Sequence, residues 1–210
     1  MNHKRLLAID PSLICSGWAF YTVSTGELLG VGNVRTLGTD CPLSKRLGVL
    51  QERVQSLYKT LDLDTNDVLI CEDVTSVLDP SATSKLEQVR GIFETLARHF
   101  KVLVPGRVHP RSVQFEVLGL YGKQLNRKLV KESAVDVAIR LFSKHLAQIG
   151  FDPSSKNLKR NQDIVDALLI GSLGLTRIKQ AMQVNIGIEE FFDKQEKQIG
   201  KYRPNSASLR

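Results

Sequence analysis

Cysteine is scarce in this chain. Cys15, Cys41 and Cys71 are odd in number and widely spaced, which excludes a disulfide framework and leaves no pair with metal-site spacing. Cys15 and Cys71 stand beside apolar runs and read as small buried thiols. Long hydrophobic runs are missing as well. The apolar stretch after Lys4 and Arg5 breaks at Asp10, too short for a signal peptide or a membrane span. An intracellular protein with no membrane partner is expected. No internal repeat and no second domain are visible. With 42% apolar and 24% charged residues over 210 positions, the composition is globular rather than disordered, and the length suits one domain with a real core.

The net charge of +7 is unevenly spread. Between Lys101 and Lys131 stand Lys101, Arg107, Arg111, Lys123, Arg127, Lys128 and Lys131, against Glu116 as the only acid. Such a segment is either a solvated basic face or a polyanion site. Nucleic acid is the favoured partner, of a kind that charge cannot name.

Residues 6–9 predict a short strand ended by Asp-Pro, and 17–23 and 28–34 a hairpin around a Ser-Thr-Gly-Glu turn. Leu47, Leu50, Val54, Leu57 and Leu61 recur at helical spacing and predict a helix over about 43–61. Residues 68–71 read as a second buried strand, and Asp79-Pro80-Ser81 as a breaker. A helix over 86–100 and a strand over 102–104, closed by Pro105-Gly106, follow. Pro110 opens a helix running towards Leu120. Val130, Ala134, Val137 and Leu141 mark another, 150–162 a polar connector, and 163–182 a long apolar helix. One domain over 1–185 and a short helix (189–197) with a polar tail over 186–210 complete the plan. This order predicts an α/β fold: a mixed central sheet flanked by helices.

Two predicted strands end in carboxylates, Asp10 and Glu72. Ligands collect at the carboxyl ends of strands in α/β sheets, and a charge there is costly unless paired or bound to metal. Asp163 and Asp166 are three residues apart, on one face of a helix. Each acid alone has an ordinary explanation: a turn residue before Pro11, a surface acid at a sheet edge, a helix cap and its neighbour. Together these require three unrelated accidents. Four carboxylates make a hard oxygen site suited to Mg²⁺, with Mn²⁺ able to substitute. Two such ions would serve phosphodiester cleavage.

The residues at this point resemble a family. Leu-Ala-Ile-Asp-Pro-Ser-Leu-Ile-Cys-Ser-Gly-Trp-Ala (7–19) is similar to the opening motif of RuvC-type Holliday junction resolvases. Leu-Ile-Cys-Glu-Asp-Val (69–74) resembles their second strand, Leu-Glu-Gln-Val-Arg-Gly-Ile (86–92) the helix after it, and Gln-Asp-Ile-Val-Asp-Ala-Leu (162–168) their closing acidic pair. The resemblance covers roughly residues 5–175. It implies a ribonuclease H-like fold, a homodimer, divalent metal and paired nicks across a four-way DNA junction. It carries catalytic and metal-binding roles onto Asp10, Glu72, Asp163 and Asp166, and phosphate contacts onto Arg111 and Lys131. Lys123, Arg127 and Lys128 join them as expected DNA-binding residues from the basic segment. Ser12 stands where bacterial members usually carry Gly, and Thr75 where many carry a stacking aromatic. Two other classes compete. A related nuclease acting on RNA precursors, flaps or bubbles would use the same carboxylates, and a silent binding module would keep the basic segment only. An actin-like or sugar-kinase-like ATPase would need a second phosphate loop with Asp-x-Gly, which the chain lacks; no nucleotide cofactor is expected.

Overall fold

A computed structural model describes residues 3–73, 79–122 and 125–201. Strands β1 (Arg5–Asp10), β2 (Cys15–Thr22) and β3 (Leu28–Arg35) form an antiparallel meander. After helix α1 (Leu43–Thr60), β4 (Asp67–Glu72) returns beside β1 in parallel. Helix α2 (Pro80–His99) leads to β5 (Arg107–Val108), which is parallel to β4. The sheet order is β3-β2-β1-β4-β5, a mixed five-stranded sheet of the expected α/β class.

Side-chain alternation along the strands sorts the core into two layers. Leu7, Ile9, Leu69 and Cys71 pack against Leu50, Val54, Tyr58, Val89 and Phe93 of α1 and α2. Leu6, Ala8, Val68 and Ile70 face the other way, into a larger cluster under α4 (Arg127–Gln148) and α6 (Gln162–Gln183). Each fully buried Leu or Ile of these layers contributes about 1.5–3 kcal/mol through lost apolar exposure. The same alternation assigns Asp10 and Glu72 to the α6 side. They follow directly on the Ile9–Cys71 register pair, so the two carboxylates stand on neighbouring strand ends.

α6 is the apolar helix expected over 163–182. Its Gly171 sits so close to β2 that a Cβ would overlap the Tyr21 ring, and the Tyr21 hydroxyl donates to the Leu168 carbonyl at 2.9 Å. Helix α7 (Ile188–Lys201) lays the fully buried Phe192 into the same core. The tail 202–210 lies outside the described residues.

Four local expectations are corrected. The strand expected over 102–104 is reduced to a single bridge between Leu103 and Val68, and the ladder resumes only at Arg107. Pro105 has no N–H to donate, so it interrupts the pairing rather than ending it. Asp79-Pro80-Ser81 does not break a helix but starts one: Asp79 caps α2 by accepting from the Ser81 N–H at 2.9 Å, and Pro80 takes the first position. The helix expected from Pro110 is a short α3 (Pro110–Ser112) continued as a π-helical turn over Val113–Val117. The polar connector contains helix α5 (Ser155–Arg160), capped by the Ser154 hydroxyl and anchored by buried Leu158.

Candidate metal centre and nucleic-acid groove

The site grows from the end of β1. Asp10 is paired across the ladder with Gly17 of β2, and the loop between them is tied down from both sides. The Ser16 hydroxyl accepts from the Ser12 N–H at 2.9 Å and donates to the Ser12 carbonyl at 2.8 Å. The Leu13 carbonyl accepts from the Thr36 hydroxyl and, at 3.4 Å, from Arg46. Among the described non-glycine residues, positive φ occurs only at Asp62, Lys101 and Asn185. Ser12 therefore fills its turn with no need of the glycine usual in the resembling family.

Gly17 fixes where α6 begins. A Cβ on it would overlap the Asp163 carbonyl group. Only a bare Cα lets the first turn of α6 lie directly on β2, opposite Asp10. That turn carries Asp163 where the helix dipole favours an anion. Asp166, one turn on, accepts from the Gln162 side chain at 3.4 Å. Cys15, half-buried rather than enclosed, donates its thiol to the Asp163 carboxylate. Burial first, then that bond, pushes the thiol up to about 11. Cys71 is buried, as expected of both.

Electrostatics bind the acids into one unit. Burial, then repulsion from Glu72, Asp166 and Asp163, holds the Asp10 carboxyl well above its ordinary range. Glu72 is pushed up to about 8 by burial and by Asp166 and Asp73. Asp166 rises to about 6, chiefly through burial, with the Gln162 bond opposing. Each of the four keeps a partial opening to solvent. None takes part in an ion pair with Lys or Arg among the described residues. Partly buried, mutually repelling carboxylates that form no ion pair are the donor chemistry that a hard divalent cation suits. No three His, Cys, Asp or Glu among the described residues converge closely enough to enclose a single ion. The four form an acidic surround, not a preformed cage.

Asp73, the other acid of the Glu-Asp pair, turns away from this surround. It holds buried Arg90 at 2.7 Å, and Arg90 also pairs with Glu87 at 2.7 Å. Arg107 joins Glu94 at 2.8 Å. Arg107 is thereby committed to an ion-pair network beside β4, although it belongs to the basic segment.

The rest of that segment divides. Arg127, Lys128 and Lys131 on the first turns of α4 line an open cavity of about 570 Å³ with Glu132, Lys159 and Gln162. Gln162 also contacts Asp166, and the Lys131 charge acts on Asp166. The basic cavity and the acidic surround are thus neighbours. Lys159 of α5 was not singled out from sequence. The signal for it was the Ser-x-x-Asn cap of a short helix inside a Lys-rich stretch. Arg111 is exposed at the start of α3 and is not among the residues lining this cavity. Lys123 and Thr75 lie outside the described residues. Among the described residues no helix is long and apolar enough to cross a membrane.

A mixed sheet in this strand order, flanked by helices and ending in carboxylates, is a ribonuclease H-like α/β fold. Solved structures to which it is similar include RuvC of Thermus thermophilus. The RuvC structure in complex with a Holliday junction substrate superposes with a TM-score of 0.58 at 18% identity, covering 86% of this chain and 96% of that one. A second T. thermophilus RuvC structure gives 0.56 at 18% identity, covering 85% and 96%. The fold is therefore RuvC-like over most of both chains. No family model matches the sequence, and no curated protein matches it significantly.

Proposed function

We propose that this chain is a metal-dependent endonuclease that nicks branched DNA, with the four-way junction as its substrate. The observation carrying the proposal is the adjacency of four electrostatically linked carboxylates to a cationic cavity through Gln162 and Lys131. The RuvC-like fold supports the same reading.

In this reading Arg127, Lys128, Lys131 and Lys159 grip backbone phosphates and bring one strand alongside the acids. Asp10, Glu72, Asp163 and Asp166 would hold Mg²⁺ or Mn²⁺. Bound there, the cations would supply charge stabilisation for the developing phosphorane and a more acidic water. Gln162 holds Asp166 by its side-chain bond, and the ion-paired Asp73 and Arg90 fix the strand end that presents Glu72. A carboxylate of the surround accepts the proton lost by water as its oxygen bonds to phosphorus, while the P–O bond to the sugar breaks and the departing sugar oxygen takes a proton from solvent water. Because a four-way junction has approximate two-fold symmetry, two nicks call for two sites related by a dyad, hence a homodimer. Gly91 on α2 has open space above its Cα, which suits a close partner helix.

The test is cleavage of a synthetic four-way junction beside a linear duplex of the same sequence, with Mg²⁺ and with Mn²⁺. Paired nicks in the junction and none in the duplex are expected, lost in Asp166→Asn. Equal cutting of both substrates would overturn junction selectivity. Undiminished cutting by a folded Asp166→Asn protein would overturn the site.

A further inference from the structure

The part of the basic segment that the cavity does not absorb carries two exposed aromatics. Phe115 lies on the π-helical turn and is 54% exposed; Tyr121 follows it and is 72% exposed. Their rings meet edge to face, with centroids 4.7 Å apart and planes at 79°. An edge-to-face pair leaves ring faces uncovered by either partner. Two large aromatics left so open are unusual unless something lies on them.

Their support is built, not loose. Val113 beneath them is buried, and Val117 and Leu118 pack against the core. The Leu118 N–H donates to the Val113 carbonyl at 3.1 Å, and the Leu120 N–H to the Gln114 carbonyl at 2.8 Å. Between the two rings in sequence, Glu116 reaches back to Arg177 of α6 at 3.0 Å. Arg177 is almost fully buried, lies 5.9 Å from the Phe192 ring, and has no hydrogen-bond partner for Nε or Nη1 among the described residues. Glu116 is therefore the carboxylate that partners it, through Nη2, and the bond ties the π-helical turn to the long helix. π-helical turns occur disproportionately at functional sites.

What surrounds the rings selects their occupant. Arg111 is exposed one turn before Phe115. Arg127 and Lys128 of the cationic cavity begin six residues after Tyr121, a span of at most about 20 Å. The one acid of the segment, Glu116, is turned away into its pair with Arg177. Along the chain the pair lies between Arg111 on one side and Arg127 and Lys128 on the other, so the segment that carries it is cationic at both ends. Aromatic faces set among cations are the surface that binds unpaired nucleotides: the cations take the phosphates and the rings take the bases.

We propose that Phe115 and Tyr121 form a stacking platform for an unpaired nucleobase of the strand held by the Arg127–Lys131 cavity. The proposal deepens the branched-DNA reading and rests on it for the natural substrate. A four-way junction strains base pairs at its crossover, and an unstacked base is what such a platform captures.

The experiment places 2-aminopurine, whose fluorescence is quenched by stacking, in a single-stranded oligonucleotide and, separately, at the crossover of a synthetic four-way junction. The full chain quenches the probe. The double variant Phe115→Ala/Tyr121→Ala, checked for native helicity by circular dichroism, loses the quench and binds the single strand about tenfold more weakly or worse. Its affinity for linear duplex stays within about twofold, since phosphate contacts carry that binding. Phe115→Tyr/Tyr121→Phe, which keeps both rings, restores the quench. Unchanged quench and affinity in the folded alanine variant overturn the proposal. So does a switch from dimer to monomer in sedimentation with the quench intact, which would make the patch a face between copies. A parent protein that quenches the single-stranded probe but never cuts junctions ends the junction reading while leaving the platform standing. One that cuts junctions but never quenches does the reverse.

Discussion

Glu72 is the side chain whose protonation should be easiest to see. Its carboxyl, pushed up to about 8, keeps its proton in the folded state at pH values where an unfolded Glu has lost it. The stability this contributes is complete below the ordinary Glu range and is lost as pH rises through about 8. Asp166, raised to about 6, acts with the same sign at lower pH. Without divalent ions, resistance to urea should therefore decline between about pH 5 and 9. Glu72→Gln removes the buried charge and should be more stable than the parent at the alkaline end, by about 1–3 kcal/mol. Mg²⁺ should narrow that gap by binding the ionised parent. Urea titrations of both proteins check this, and identical curves at the alkaline end would contradict it. The same variant, with Asp10→Asn and Asp166→Asn, should still shift a four-way junction in gels while cleavage falls by orders of magnitude. Ca²⁺ in place of Mg²⁺ should likewise permit binding with little cutting. All four acids were legible in the sequence, because strand ends and helical spacing are local patterns. Their closeness was not: it depends on the parallel register of β1 with β4 and on the docking of α6, which sequence spacing does not encode.

At the level of elements, the decisive contact is the landing of α6 on β2. Gly17→Ala forces the Asp163 backbone away and should move both α6 carboxylates from Asp10. A loss of stability of about 1–3 kcal/mol is expected, as for other overpacked contacts. The loss of divalent-ion binding, read by isothermal titration, should exceed what that destabilisation accounts for. Normal ion binding in a folded Gly17→Ala protein would mean that α6 does not need this contact. Toward the other end of the same helix, Glu116→Ala leaves buried Arg177 without its carboxylate, a change that should cost about 1–3 kcal/mol for a buried donor that loses its partner. Thermal melts should show it plainly, while Glu87→Ala, which leaves Arg90 its pair with Asp73, should cost less. The helices α1, α4 and α6 were readable from their apolar periodicity. The π-helical turn and α5 were not: the first is an insertion of one residue per turn with no residue signature of its own, and the second is held by one cap and one buried leucine. The strand expected over 102–104 failed for a related reason, since an apolar triplet before Pro105 looks like a strand whether or not a ladder partner is in register.

Across the whole molecule, charge and symmetry make separate demands. Changing Lys128, Lys131 and Lys159 together to Ala should weaken junction binding and flatten its dependence on salt by about three contacts' worth of released counterions. An unchanged slope would make the cavity a solvated face. Sedimentation at working concentration should find a dimer, and a monomer both with and without DNA would remove the paired-nick scheme. The fold class and the basic character of residues 101–131 came directly from pattern and composition. The division of that basic segment into a groove, an ion-pair network and an aromatic platform did not, because it depends on which face each cation occupies once α4 has packed.

One consequence of the landing of α6 belongs to the history of each copy rather than to its finished form. Asp10 leaves the ribosome well ahead of its acidic neighbours on α6, which follow 153 and 156 residues later. At about 5–20 residues per second that is an interval on the order of ten to thirty seconds. During it, the residues of β1 to β4, with their two strand-end acids, are already made. The chemistry proposed for the four carboxylates has to wait until α6 has come to rest on Gly17. On the proposed function, a chain truncated before residue 161 would lack Asp163 and Asp166 and should leave any nucleic acid it touches uncut.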